Sequence, residues 1–244
     1  MRAFKKRINF YISKFNFKKN KLNVGAGKYW SHFDFLNLDF DKKSCDIAHD
    51  LNINKNLPFK DNTLKVIYTS NNLEHLKDDS VDFYLNEFYR CLEPGGLLRI
   101  TAPDAELMYE KYKNKDTEFW ESIKDKSIYK FDTILRMFVR LIAGGVVDNY
   151  SDFELQKIFS ENKKIDFLNF FTDQQNKIFD PDLLAPNTHK SWHSYNKMSK
   201  MLYSLNFKSI TRSKPFQSSL KILRNKDKFD YTRPHMCFYI EALK

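Results

Sequence analysis

What most constrains this 244-residue chain is an alternation that begins at Lys21: short apolar runs, each followed by a turn signal, with helical spacing between them. Such a rhythm is that of parallel strands joined by crossover connections. Strands are expected at 22–24, 35–38, 47–51, 64–69 and 97–101, and again at 207–211 and 236–242. Between the fourth and fifth, residues 80–92 read as a helix with Val81, Tyr84, Leu85 and Phe88 on one face, ended by Glu93-Pro94-Gly95-Gly96. After Pro103 the strand rhythm stops. The stretch 105–185, rich in Phe, Tyr, Lys and Asp, is too long for a bare loop and is read as helical.

The domain organisation that follows is a basic amphipathic helix at 1–20, then one α/β domain at 21–244 with a helical insertion at about 105–195. In the leading segment Phe4, Ile8, Tyr11 or Ile12, and Phe15 recur at helical spacing among Arg and Lys. Such a helix packs on the domain, lies on a membrane surface or caps the active site. Composition supports one core: 42% of residues are hydrophobic and 23 are Phe. Cys45, Cys91 and Cys237 are widely spaced, with no CxxC pair. Neither a disulfide framework nor a metal site is therefore expected, and a reducing, cytoplasmic setting fits. No apolar run reaches the roughly 20 residues that span a bilayer.

The net charge of +10 is unevenly spread: the first 21 residues hold eight Lys or Arg and no acid, the tail from 197 is also basic, and the stretch between is acidic. The basic ends suit phosphates or an anionic membrane, or reflect a Lys- and Asn-rich composition.

Chemistry concentrates at Leu22-Asn23-Val24-Gly25-Ala26-Gly27, an apolar strand running into a Gly-x-Gly turn that lets a ligand approach backbone N–H groups without Cβ interference. A dinucleotide site would place a third glycine where Trp30 stands, and no Gly-Lys-Ser/Thr closes a phosphate loop. NAD and P-loop chemistry are both disfavoured. Twelve residues after Gly27, Asp39 follows the second strand, where a carboxylate can accept both hydroxyls of a ribose.

The ordered series L-N-V-G-A-G, N-L-D, H-D-L, L-P-F-K-D-N, S-N-N-L-E-H-L and R-C-L-E-P-G-G-L-L-R-I, over about residues 21–104, resembles the type 11 group of class I S-adenosylmethionine-dependent methyltransferases. The resemblance implies a Rossmann-like α/β fold, a seven-stranded sheet with its last strand antiparallel, and S-adenosylmethionine as cofactor. It implies that Gly25, Ala26 and Gly27 line the methionine and ribose, Asp39 holds the ribose, Asp50 and Leu51 neighbour the adenine, and Ser70 and Asn71 lie beside the sulfonium. Only about eight residues separate Gly27 from the second strand, so the usual first crossover helix is truncated. That truncation, with Thr188-His189-Lys190-Ser191-Trp192-His193 and Tyr239-Ile240-Glu241-Ala242, resembles methyltransferases of surface-polysaccharide and related glycan pathways.

Methyl transfer is an in-line displacement that needs positioning, and a base only where a hydroxyl must lose its proton. His75 and His189 are the candidate catalytic histidines, with a cofactor-side or structural role for His75 and a capping or surface role for His189 as alternatives. Asp104, His193 and Tyr195 are candidate substrate contacts, Asp104 equally a helix cap. Tyr109, Tyr112, Trp120, Phe170 and Phe171 read as the core of the insertion, or as stacking surfaces. The leading expectation is methylation of a small-molecule or glycan acceptor, at a saccharide hydroxyl. The rivals are a nucleic-acid methyltransferase, disfavoured because neither an Asp/Asn-Pro-Pro-Tyr/Phe box nor Pro-Cys stands at Ser70-Asn71-Asn72-Leu73, a lipid or quinone methyltransferase at a membrane, and a non-catalytic binding module.

Overall fold

The computed structural model describes residues 19–123, 132–178 and 188–244. The expected helix at 1–20 lies almost wholly outside them. Strands β1 (Lys21–Val24), β2 (Phe35–Asp39), β3 (Ile47–Ala48), β4 (Leu64–Ser70), β5 (Leu92–Pro103), β6 (Lys208–Arg212) and β7 (Cys237–Leu243) form one seven-stranded sheet in the order β3-β2-β1-β4-β5-β7-β6. Neighbours run parallel from β3 to β5, and β7 is antiparallel to both β5 and β6. This is the Rossmann-like class I methyltransferase architecture expected above. The central runs Leu22–Val24 and Leu97–Ala102 are buried on both faces, as parallel strands covered on two sides must be.

Several boundaries differ from expectation, most by a residue or two, and the larger shifts have local reasons. The third strand stops at Ala48 because Asp50 Oδ1 accepts the N–H of Asn52 at 2.9 Å and turns the chain out of the ladder. Helix α1 (Asp78–Cys91) starts earlier, with Asp78 and Asp79 in its first turn, where acids complement the helix dipole. It ends at Cys91, just ahead of Glu93-Pro94-Gly95-Gly96 as expected, but β5 already begins at Leu92, and that stretch interrupts the β4–β5 ladder between the pairs Leu64–Leu92 and Val66–Leu97.

One face of the sheet packs Leu22, Leu38, Ile67, Leu98 and Ile240 against α1 and the later helix α7 (Tyr195–Ser204). No helix stands between β1 and β2. The opposite face is covered instead by Trp30, Phe35, Tyr68, Leu223 and Phe229. Trp30, at the position where a dinucleotide site would need glycine, is buried and donates its indole N–H to the carbonyl of Lys228 at 2.6 Å. The segment after β6 thus fills the space a first crossover helix would occupy.

Between β5 and α7 the described chain is helical: α2 (Ala105–Lys113), α3 (Thr117–Ile123), α4 (Ile134–Ala143), α5 (Asp152–Glu161) and α6 (Lys164–Lys177). A capping box between Ser151 and Glu154 starts α5. Met108, Tyr109, Trp120, Phe138, Phe167 and Phe171 bury one another there and join the sheet through Met236, Cys237 and Tyr239. Among the described residues, no helix is long and apolar enough to cross a membrane.

Candidate functional site

Parallel strands that end together leave a crevice at their carboxyl edge, and ligands of open α/β sheets bind there. Here the crevice is a cavity of about 430 Å³. Its lining comes from the turn after β1 (Gly25, Gly27, Lys28), the end of β2 (Asp39, Phe40, Asp41), the loop after β3 (Asp50, Leu51, Asn52) and the chain after β4 (Asn71, Asn72, His75).

The β1 turn is built by two left-handed glycines. Gly25 has φ +68° and Gly27 φ +67°, a region open to glycine at little cost. A Cβ on Gly25 would stand 2.2 Å from the Asn72 side chain, whereas one on Gly27 would meet nothing within 4 Å. The first glycine therefore lets the turn close on the β4 tip, and the second leaves the cavity open. Asp39, 8% exposed, accepts the N–H of Gly27 at 2.8 Å. That bond ties the β2 tip to the turn; Oδ1 accepts the N–H of Asp41 at 3.4 Å, and each oxygen keeps a further lone pair that a ligand could use.

The cavity fits the implied cofactor better than it fits a dinucleotide. Its lining carries three carboxylates, Asp39, Asp41 and Asp50, against the single ammonium of Lys28. A pyrophosphate would meet net repulsion, while a nucleoside bearing a sulfonium and an amino group would meet attraction. Asp39 could accept a ribose diol, and Phe40 and Leu51 could give a base apolar surface. Replacing Asp39 by Ala is expected to weaken S-adenosylmethionine binding by about 1–3 kcal/mol, the order of a lost hydrogen bond to a charged acceptor. Calorimetric titration measures it, and unchanged affinity would remove Asp39 from the site.

Of the residues singled out in the sequence, Gly25, Gly27, Asp39, Asp50, Leu51, Asn71 and His75 line this cavity. Ala26 and Ser70 do not: they face a small polar pocket with Trp30, Tyr68 and Lys228 behind the turn. Alternation explains this, because successive side chains around a strand end point to opposite sides. Asp104, His193 and Tyr195 are also outside the cavity lining. Asp104, 4% exposed, caps α2 by accepting the N–H of Leu107 at 3.1 Å. His193, 1% exposed, pairs its Nε2 with Ser191 Oγ at 3.0 Å, and Tyr195 opens α7 with its ring under the Arg212 guanidinium. All three join the insertion to the end of β5; the backbone bridge between Asp104 and His193 is that joint.

His75 and His189 are brought together from distant parts of the chain, with ring centroids 4.9 Å apart. The segment carrying His189 is clamped over the turn after β4: the carbonyl of Glu74 accepts the N–H groups of Lys190 at 2.7 Å and Ser191 at 3.2 Å. Lys190 also reaches across the cavity mouth to Asn52 Oδ1 at 2.8 Å. His189 Nδ1 pairs with the carbonyl of Leu141 on α4, and burial pulls its pKa down to about 4. It is neutral at physiological pH. Behind the two rings lies Glu74, 3% exposed, which burial pushes up to about 8.

Asn72 and Glu74 escaped the sequence reading. Both sit inside S-N-N-L-E-H-L, but a buried Glu at the edge of a sheet cannot be told by pattern from an exposed one, and Asn72 is marked only by its approach to Gly25.

Residues 12–100 match the family described as Methyltransferase domain. Comparison with curated proteins gives no match. Among solved structures, the chain is similar to a SAM-dependent methyltransferase from Archaeoglobus fulgidus, at 14% identity and TM-score 0.43 over 100% of this chain and 94% of that one. It is similar to an S-adenosylmethionine-dependent methyltransferase from Mesorhizobium loti, at 14% identity and TM-score 0.47 over 92% and 90% of the two chains. A phosphoethanolamine N-methyltransferase of Haemonchus contortus, in complex with S-adenosyl-L-methionine, is 13% identical at TM-score 0.43 over 96% of this chain and 51% of that one. The domain match spans the strands and turns that line the cavity, above a seven-stranded sheet in the order β3-β2-β1-β4-β5-β7-β6, and supports an S-adenosylmethionine-dependent methyltransferase.

Proposed function

We propose that the chain transfers the methyl group to a hydroxyl oxygen, and that the acceptor is a saccharide. The observation that carries this reading is a pair of imidazoles beside the cavity: His75 lines it, and His189, which is outside the lining, packs against His75 with ring centroids 4.9 Å apart. A hydroxyl must be oriented by an acceptor atom and shed its proton as the O–CH3 bond forms, and a neutral imidazole presents a lone pair for that purpose. The low basicity of His189 suits it to aligning the hydroxyl more than to keeping its proton. When bound, S-adenosylmethionine would supply the electrophilic methyl; Gly25, Gly27 and Asp39 would hold it, and the clamp of Glu74 on residues 190–191 keeps His189 in place. The saccharide assignment rests on the likeness of residues 188–193 and 239–242 to glycan-pathway methyltransferases, together with the polar character of the cavity rim. It places the chain in glycan biosynthesis.

Methyl transfer assayed in parallel on nucleotide sugars, glycolipids, small phenols and RNA tests this. Turnover is expected on a saccharide, with His189→Ala slower by about 100-fold or more while S-adenosylmethionine affinity is unchanged. Robust transfer to RNA or a phenol, with none to any saccharide, would sink the glycan assignment. A His189→Ala enzyme of full activity would sink the role of that residue.

A further inference from the structure

We propose that Glu74, His75 and His189 form a binding site for a first-row divalent cation, with zinc as the best fit to the donor set, beside the cavity that His75 lines. One ligand atom from each of the three lies within 4.8 Å of the others. In a tetrahedral zinc shell, donors about 2.1 Å from the ion stand roughly 3.4 Å from one another, so rotamer adjustments of about an ångström close this set on an ion.

Two further features point to a cation. Glu74 Oε2 is buried and has no hydrogen-bond partner among the described residues. A carboxylate withdrawn from water without a donor or counter-charge is costly, and a coordinated cation satisfies it. The histidines are oriented as metal ligands are: His75 Nδ1 faces the carbonyl of Thr188 at 3.3 Å, and His189 Nδ1 faces that of Leu141. A carbonyl only accepts, so each Nδ1 carries the hydrogen and each Nε2 the lone pair. That outer-shell carbonyl is what fixes tautomer and ring plane in imidazole ligands.

The scaffold is fixed on both sides. Glu74 and His75 belong to the short 3-10 turn Leu73–His75, and the backbone bonds from Lys190 and Ser191 to the Glu74 carbonyl hold the segment bearing His189 against it. Two imidazole nitrogens and one carboxylate suit zinc or a neighbouring transition ion over magnesium or calcium, which prefer an all-oxygen shell. Three protein ligands leave a coordination position open, and one of them, His75, lines the cavity. Ion binding is independent of the acceptor; with an ion bound the Nε2 lone pairs are spent on it, so the ion, in place of His189 itself, would orient the acceptor oxygen, and only that part rests on the proposed function.

The test is isothermal titration of chelator-treated protein with zinc chloride alone, without cofactor or acceptor, on wild type, Glu74→Gln, His189→Ala and the surface control Glu161→Gln. Stoichiometric binding by wild type and the control is expected, with affinity reduced about 100-fold or more in the other two. Cobalt(II) added to wild type should give visible ligand-field bands that His189→Ala lacks, which decides the matter even if Glu74→Gln does not fold. Absence of stoichiometric binding by wild type, or equal binding by all four proteins, would overturn the site. Failure of every saccharide as acceptor leaves this titration unaffected, so the two proposals fail separately.

Discussion

Replacing Arg99 by Met is expected to destabilise the fold by about 3–5 kcal/mol, the largest effect anticipated for a single change. Arg99 on β5 is fully buried, yet it carries a charge and five N–H donors. Its guanidinium meets Asp230 at 2.5 Å and Glu241 at 2.9 Å, and donates to Ser213 Oγ at 2.9 Å and the Lys214 carbonyl at 3.3 Å. Asp230 in turn accepts the N–H of Phe216 at 3.0 Å, while its own N–H donates to the hydroxyl of Tyr68 at 2.9 Å. The network pins the segment after β6 onto the sheet face that has no helix between β1 and β2. Met would match the volume and leave two carboxylates in the interior without a cation, which is the costly way to break a buried pair. Urea unfolding of wild type, Arg99→Met and Arg99→Lys measures it. Lys keeps the charge but not the fork, so an intermediate loss is expected. A loss under about 1 kcal/mol for Arg99→Met would show that the network does not hold this face.

Gly25→Ala is expected to lower S-adenosylmethionine affinity about 30-fold or more, roughly 2 kcal/mol. Two costs combine. At φ +68° an L residue is disfavoured by about 1–2 kcal/mol. Its Cβ would also lie 2.2 Å from Asn72 Cγ and 2.7 Å from Asn72 Cβ, too close to the side-chain root for rotation alone to relieve. Asn72 lines the cavity and immediately precedes Leu73-Glu74-His75, so the clash is relieved into the binding site. Gly27→Ala is the internal control: its φ of +67° imposes the same backbone strain, but its Cβ meets no protein atom. If Gly25→Ala and Gly27→Ala are compared by thermal melting without cofactor, the former should lose more stability. Wild-type affinity in Gly25→Ala would separate this turn from the cofactor.

Much of the fold was legible because periodicity is local. Apolar runs of strand length at 22–24, 35–38, 64–69 and 97–101 can be buried on both faces in only a few ways, and the crossovers between them impose parallel pairing. Half of the cavity was legible for the same reason. Gly25 and Gly27 are demanded by the backbone of a strand-end turn, and Asp39 by its place at the next strand end.

The sheet, the glycine turn and the carboxylate beside it are thus each set by residues within one or two elements, and local pattern is enough to read them. Tertiary structure alone decided the rest. It closed the open sheet face with Trp30, Phe229 and the Arg99 network, buried Asp104 and His193 in the joint to the helical insertion, turned Ala26 and Ser70 behind the cavity, and set His189 against Glu74 and His75. Those outcomes depend on contacts between segments far apart in the chain, and neither charge pattern nor spacing records which of two polar side chains will lose its water on folding.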